Sequence, residues 1–302
     1  MAGPPRSQIL ALVSGRRHVL EWGDPGASVV LLQHGMRDHA RSWNWVAEHL
    51  ADRFHIVAPD LRGHGDSDWS SDGDYSLASY VRDLAEIVEA MGLHAINVVA
   101  HSLGGHIALR FAASFPEVIR SQVLIEGVEL PLIRQQRQRP VPYPSRVREW
   151  LDVTRSQRNR KPRYYLDLAD AAQRMREAHP NIDHETLDFL TCTGAIEEPG
   201  RGWRWKYDNA CRHRAPEDQQ GLDLDEILLA ICCPTLLAYG DESWIPPPHA
   251  ERLARLREHR VVRFAGASHW LHHQRRQKFC ALLDRFLPEP SRSLQAESLV
   301  HA

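Results

Sequence analysis

A short apolar segment that leads through a serine turn into a helix constrains the fold of this chain most. Residues 97–100 form the segment, the turn reads His101-Ser102-Leu103-Gly104-Gly105, and a helical pattern follows. A strand-to-helix turn this tight requires small residues two positions before and after its centre, and here these are Ala100 and Gly104. The turn is expected to lift the Ser102 side chain above a sheet in a strained conformation. The N-terminus of the helix beneath it would stabilise developing negative charge.

Short apolar runs and helical patterns alternate along most of the chain, which predicts a mostly parallel sheet with crossover helices. The first two runs flank Ser14-Gly15 and predict an opening hairpin. Further strands are predicted at 29–33, 55–58, 97–100, 122–125, 235–239 and 260–264, and helices at 43–50, 77–91, 104–114, 249–256 and 277–286.

The strand–helix alternation stops between about 130 and 225. No clean strand is predicted there, and helical patterns are separated by Pro and Gly. We therefore expect a core of residues 1–129 and 226–290 that carries a helical cap insertion at 130–225. The polar tail, 291–302, is expected to be disordered.

Composition excludes several classes of protein. The 302 residues are 43% hydrophobic and 25% charged, which is typical of a globular chain and not of collagen, coiled coil or disorder. The formal net charge of -2 gives poor support for nucleic-acid binding, which needs a strongly basic face.

No apolar stretch approaches the ~18 residues of a membrane span. The five cysteines are odd in number and lack a C-x-x-C pair, so no metal site is indicated. We expect a soluble, cytoplasmic monomer or homodimer.

The predicted insertion opens with a basic stretch. Residues 133–165 hold nine Arg and one Lys against Glu149 and Asp152, a net charge of +8. The stretch can be a solvated surface, an anion-binding lid or a contact for an acidic surface.

Two further turns offer groups that a serine nucleophile needs. In Gln33-His34-Gly35-Met36 a His-Gly turn ends an apolar strand, and the N–H of Met36 can join that of Leu103 as a two-donor oxyanion hole. The His34 side chain is expected to brace this loop. In the segment 264–270, His269 follows a strand late in the chain and is the candidate general base.

Residues 60–67, Asp-Leu-Arg-Gly-His-Gly-Asp-Ser, together with the three turns, resemble the α/β-hydrolase superfamily over most of residues 8–287. The segments Leu-Ile-Glu-Gly at 124–127 and Gly-Ala-Ser-His-Trp-Leu-His-His at 266–273 resemble its serine hydrolase-like branch. The resemblance implies an α/β-hydrolase fold, with a mostly parallel eight-stranded sheet flanked by helices and a helical cap. It also implies a Ser-His-acid triad and neither a metal nor an organic cofactor.

The acid of the triad departs from the family's pattern. Many relatives carry Asp three residues after the Gly that ends the next-to-last strand, and here that position is Ser243. Glu126, at the end of an apolar strand, is favoured as the replacement because a buried carboxylate needs a partner such as the His269 N–H. Asp241 is the alternative acid, and Glu242 or a degraded triad also stays open.

A serine at position 102 favours acyl transfer to water, whereas haloalkane dehalogenases and epoxide hydrolases of this fold carry Asp there. We expect an esterase-like hydrolase (EC 3.1.1-like) that cleaves a small carboxylic ester or a related carbonyl compound through an acyl-enzyme. One alternative is a cofactor-free C–C hydrolase or perhydrolase with the same triad. Another is a non-catalytic small-molecule-binding protein, which the serine at 243 favours.

The substrate is expected to be an apolar or aromatic acyl compound, because aromatic residues are frequent in the insertion. Those aromatic residues are Trp150, Tyr164, Tyr165, Phe189, Trp203, Trp205 and Tyr207. The other candidates for lining the pocket are His34, Gly35, His101, Trp43, Trp244 and Trp270.

Overall fold

The computed structural model describes residues 3–129, 141–158, 162–212, 215–218 and 223–287. Its main sheet has eight strands: β1 (Arg6–Leu12), β2 (Gly15–Trp22), β3 (Val29–Gln33), β4 (His55–Pro59), β5 (Ile96–His101), β6 (Ile119–Ile125), β9 (Thr235–Gly240) and β10 (His259–Phe264). Two short strands, β7 (Ala195–Glu198) and β8 (Gly202–Trp205), form a separate hairpin. The expected fold class, a mostly parallel eight-stranded sheet, is confirmed.

The strand order is β1-β2-β4-β3-β5-β6-β9-β10. The opening hairpin pairs β1 with β2 in the predicted antiparallel register, with Leu12 opposite Gly15. From β4 to β10 all neighbours are parallel. Every residue of β4 and β5 is buried, because helices cover both faces of a parallel sheet. The carboxyl ends of β3, β5, β6, β9 and β10 therefore lie along one edge.

Helices enclose the sheet on two sides. The helices are α1 (Asn44–Leu50), α2 (Leu77–Ala90), α3 (Leu103–Ser114), α4 (Tyr143–Arg158), α5 (Leu168–Ala178), α6 (His184–Gly194), α7 (Leu224–Ala230), α8 (Ala250–Leu253), α9 (Leu271–Gln274) and α10 (Arg276–Phe286). One apolar cluster joins α2, α3, α7 and α8 to the sheet, and a second joins α1 and α10 to its other face. In the described part of the chain, no helix is both long and apolar enough for a membrane crossing.

The segment between β6 and β9 differs from the expectation in one respect. Its described residues form four α-helices, α4 to α7, but they also form the β7–β8 hairpin, where no strand was expected. Each strand has only four residues, so the alternation of apolar and polar side chains is too short to be recognised. Residues 133–140 and 159–161 of the basic stretch and the expected disordered tail, 291–302, lie outside the described residues.

A buried charge cluster ties the opening hairpin to α2. The Asp83 carboxylate accepts hydrogen bonds from Arg17 and from Arg62 at 2.5 to 3.1 Å, and all three side chains are almost completely buried. Burial alone would raise the pKa of Asp83, but the hydrogen bonds from both arginines hold it below its usual value. The carboxylate thus compensates two guanidinium groups at once.

Replacing Asp83 with Asn should therefore destabilise the fold strongly. The variant leaves two buried arginines without a counter-charge, which costs about 3 kcal/mol or more in the free energy of unfolding. Asp284→Asn is the matched control, because Asp284 pairs with His49 and Arg53 at the surface and should change stability by less than about 1 kcal/mol. Denaturant unfolding of both variants measures the difference, and equal losses would contradict this account of the cluster.

Candidate active site

The turn between β5 and α3 holds Ser102 in a conformation that L-residues rarely adopt. Its φ is 50° and its ψ is -114°. The Ser102 N–H donates to the carbonyl of Ile125 at 2.8 Å, which fixes the turn against the end of β6. A Cβ at Gly104 would lie 2.4 Å from the carbonyl oxygen of Gln33, so only glycine fits there. Backbone strain of this kind is concentrated at functional sites.

The loop after β3 passes directly over this turn. A Cβ at Gly35 would meet His101 Nδ1 at 2.9 Å and Ser102 Cβ at 3.3 Å. The next residue, Met36, and the first residue of α3, Leu103, both line the same cavity as Ser102.

The His34 side chain braces this loop from below. Its ring is fully buried, Nδ1 donates to the Gly35 carbonyl at 2.7 Å, and Nε2 accepts from the Leu61 N–H at 3.0 Å. Burial, together with the neighbouring His64, lowers the pKa of His34 to about 3, so the ring is neutral. His34 and Gly35 thus support the cavity wall without lining it.

The loop after β10 brings His269 against a buried carboxylate. His269 Nδ1 lies 2.6 Å from Glu126 Oε2. With Nδ1 donating to the carboxylate, Nε2 keeps its lone pair. His269 lines the cavity together with Ser102. Among the contacts of the described residues, the Ser102 hydroxyl has no hydrogen bond to His269, a bond that in many enzymes tightens only in the substrate complex.

Glu126 accepts three hydrogen bonds at the end of β6. Besides His269, Ser243 Oγ donates to Oε2 at 2.5 Å and the Gly240 N–H donates to Oε1 at 2.8 Å. The carboxylate is fully buried, and its backbone φ is 49°. These donors compensate the burial of the carboxylate.

The alternative acids lie elsewhere. Asp241 is exposed and its Oδ1 lies 3.4 Å from Arg263, with which it forms an ion pair. Glu242 is also exposed. The serine at position 243 is therefore a hydrogen-bond donor to the carboxylate that contacts His269.

His101 fixes the His269 loop from the other side. Its Nε2 donates to the backbone carbonyl of His269 at 3.0 Å, and the two rings lie 4.6 Å apart. Burial, followed by the neighbouring His269 and His272, lowers the pKa of His101 well below its usual value. His101 is therefore a neutral ring at the base of the cavity.

The cavity has a volume of about 740 Å³. Three of the predicted lining residues, His101, Trp244 and Trp270, contribute to its wall. Trp43 does not: it is fully buried in the core and packs 4.9 Å from the His272 ring. The apolar contacts of α1 take this side chain away from the cavity.

A family model described as the alpha/beta hydrolase fold matches residues 28–275. The chain belongs to the α/β hydrolase family. Curated relatives include lipase LipV of Mycobacterium tuberculosis, which is 31% identical over 190 residues, 63% of this chain and 66% of the relative. Serine hydrolase-like protein 2 of Homo sapiens is 26% identical over 189 residues, 62% of this chain and 60% of the relative. The resemblance to the serine hydrolase-like branch is thus confirmed.

The coverage of the relatives is partial. The matched stretch is 36% of the length of an uncharacterized protein of Mycobacterium tuberculosis that is 36% identical over 124 residues. Among solved structures, a thioesterase domain from the curacin biosynthetic pathway has a TM-score of 0.81 and 26% identity. That superposition covers 94% of this chain and 100% of the thioesterase domain. The lipase relative supports a hydrolase.

The insertion supplies the opposite wall of the cavity in this α/β hydrolase. Of its predicted aromatic residues, Tyr165, Trp205 and Tyr207 line the cavity. Phe189 instead packs against Trp45, with ring centroids 4.9 Å apart. These contacts join the insertion to the core beside Ser102.

Sequence reasoning missed several lining residues. His179 stacks on Trp270 with ring centroids 4.1 Å apart, and no motif marks it. Five arginines also line the cavity, and the basic stretch indicated only one of them: Arg37, Arg163, Arg174, Arg204 and Arg212. They come from distant parts of the chain, so no local pattern could reveal them.

A cluster of possible metal ligands lies outside the cavity. In the described part of the chain, His18, Asp60 and Asp66 place one ligand atom each within 4.8 Å of one another. These atoms already form hydrogen bonds and an ion pair with other groups of the protein. Asp60 Oδ2 accepts from His18 at 2.7 Å and from the Asp66 N–H at 3.0 Å, and Asp66 pairs with Lys206 at 2.9 Å. The cluster is a hydrogen-bond network that holds the loop after β4.

Proposed function

We propose that this α/β hydrolase is a serine hydrolase that cleaves a small carboxylic ester through an acyl-enzyme. Ser102 would be the nucleophile, His269 the general base and Glu126 the acid. The observation that carries the proposal is the 2.6 Å contact of Glu126 Oε2 with His269 Nδ1, on the wall of the cavity that Ser102 also lines.

The hydrogen bond to Glu126 determines what His269 can do. Because Nδ1 donates to the carboxylate, Nε2 is free to take the proton of the Ser102 hydroxyl as Oγ attacks the ester carbonyl. The protonated ring, stabilised by the Glu126 carboxylate, then gives that proton to the departing alcohol. A water molecule, deprotonated by His269, attacks the acyl-enzyme and releases the acid and the free serine.

The tetrahedral intermediates carry negative charge on the former carbonyl oxygen. The backbone N–H groups of Met36 and Leu103 would bind this oxygen, and the N-terminus of α3 adds to their field. Both residues line the cavity beside Ser102, and the close packing of Gly35 against the serine turn holds the two donors in place.

The sequence also leaves open a protein that binds a small molecule without catalysing a reaction. Position 243, where many relatives carry the acid of the triad, is a serine and favours this alternative. The contact between Glu126 and His269 speaks against it, since an acid is available from the end of β6. C–C cleavage or perhydrolysis would use the same groups.

An activated-serine probe should label Ser102 alone. A fluorophosphonate reacts with a serine that a general base and an oxyanion hole activate, so we expect one adduct, located by mass spectrometry of the digested protein. Ser102→Ala should abolish labelling, whereas Ser121→Ala, which changes another buried serine, should keep it. A folded wild-type protein that resists the probe and hydrolyses no activated ester would contradict the proposal.

The identity of the acid can be tested with two isosteric variants. Glu126→Gln should lower kcat on an activated ester by several orders of magnitude, on the order of 10⁴ as for the corresponding change in serine proteases, because the amide favours the wrong tautomer of His269. Asp241→Asn should stay within about threefold of the wild type, because this side chain is exposed and paired with Arg263. The opposite pattern would transfer the role of the acid to Asp241.

A further inference from the structure

The charge of the cavity does not match an entirely apolar substrate. Among the described residues that line it there are five arginines and a single carboxylate, that of Asp38. The Asp38 oxygens accept hydrogen bonds from the His39 N–H at 2.9 Å and from Ser42 Oγ at 3.0 Å. Burial raises the pKa of this carboxyl group. One carboxylate among five guanidinium groups leaves an excess of positive charge along the cavity lining.

Two of the five arginines form ion pairs with carboxylates that do not line the cavity. Arg204 pairs with Glu198 and lies over the Trp69 ring, and Arg174 reaches the exposed Glu177 at 3.3 Å. The other three, Arg37, Arg163 and Arg212, form no ion pair with any residue that the structure describes. Guanidinium groups that line a cavity without a carboxylate partner are candidates for binding an anionic ligand.

Arg37 belongs to the loop that follows β3. It follows Met36, the proposed oxyanion donor, and lines the same cavity as Ser102. Its backbone φ is 60°, in the left-handed region that costs a non-glycine residue roughly 1–2 kcal/mol. Burial, followed by the positive charge of Arg37, lowers the pKa of His179, another residue that lines the cavity.

Arg163 approaches from the insertion. Its guanidinium lies 5.2 Å from the centre of the Tyr165 ring, and that ring faces Trp205 at 6.0 Å. All three residues line the cavity. Burial raises the pKa of Tyr207, which also lines the cavity, and the charge and hydrogen bond of Arg37 oppose that rise.

Resting on the ester hydrolase function proposed above, we propose that the substrate carries an anionic group, a carboxylate or a phosphate, which Arg37 and Arg163, whose side chains are exposed to solvent, bind at the wall of the cavity. The planar fork of each guanidinium suits the oxygens of either group. The aromatic side chains between them would contact the carbon chain that links the anion to the ester. The apolar or aromatic acyl group expected from the sequence then forms only part of the substrate.

The first test compares esters that differ only in this charge. The carboxylate pair is p-nitrophenyl hemiglutarate and its neutral methyl ester. The phosphate pair consists of two thioesters, S-acetyl phosphopantetheine and neutral S-acetyl pantetheine. The rate measured with Ser102→Ala is subtracted from each. We expect kcat/KM to favour the anionic member of one pair by at least about tenfold, and the preference to fall as salt is added. The pair that shows the preference identifies the kind of anion.

Arginine variants test where the anion binds. Arg37→Gln and Arg163→Gln should each lower the ratio of kcat/KM for the anionic ester to that for the neutral ester by about tenfold, the effect of losing one charge-assisted hydrogen bond. Arg82→Gln is the matched control: Arg82 is exposed on α2, outside the cavity, and the variant should keep the wild-type ratio. Circular dichroism and the melting temperature check that each variant is folded.

The outcomes separate this inference from the function on which it rests. Ser102-dependent hydrolysis without preference for either anionic ester would overturn the anionic substrate and leave the hydrolase intact. If no ester is turned over, the proposed function fails, and calorimetry with glutarate and with phosphopantetheine then tests anion binding directly. Binding that weakens in Arg37→Gln but not in Arg82→Gln would support the arginine site, and no binding of either anion would refute it.

Discussion

The Glu126 carboxylate lies where three loops meet, and the arrangement around Ser102 depends on it. It accepts hydrogen bonds from the end of β9, from the loop that follows this strand and from the His269 ring. A buried carboxylate with fewer hydrogen-bond donors would destabilise the fold. The same hydrogen bonds therefore hold the loops together and orient the His269 ring. The strained backbone of Glu126 and of Ser102 belongs to the same small region of the sheet edge.

The parallel order of the strands explains why a few contacts are enough to bring these loops together. The strands β3, β5, β6, β9 and β10 end along one edge, so each following loop begins beside the others. The serine turn, the loop after β3, the carboxylate and the histidine therefore converge although they are far apart in sequence. Ligands of open α/β sheets bind at this edge for the same reason. Residues between β6 and β9 add aromatic and basic side chains to the lining of the cavity.

The sequence predicted the parts of the site that depend on local geometry. The small residues Ala100 and Gly104 leave the turn at Ser102 little choice of conformation. His269 lies in a short segment that resembles the serine hydrolase-like branch of the family. The choice between Glu126 and Asp241 depended on which carboxylate reaches the imidazole, and this is a property of strand order. The arginines of the cavity come from a core loop and from several elements of the insertion, so their convergence has no signature in any local stretch. Trp43 shows the opposite error: an aromatic residue near the site in sequence packs into the core instead.

The central claim is that Glu126 holds the Nδ1 proton of His269. Proton NMR of the imidazole region tests it most directly, because a proton in a short hydrogen bond to a carboxylate is strongly deshielded. We predict a low-field resonance in the wild type and in Ser102→Ala that persists in Asp241→Asn and disappears in both His269→Ala and Glu126→Gln. A resonance that survives in Glu126→Gln but is lost in Asp241→Asn would contradict the account.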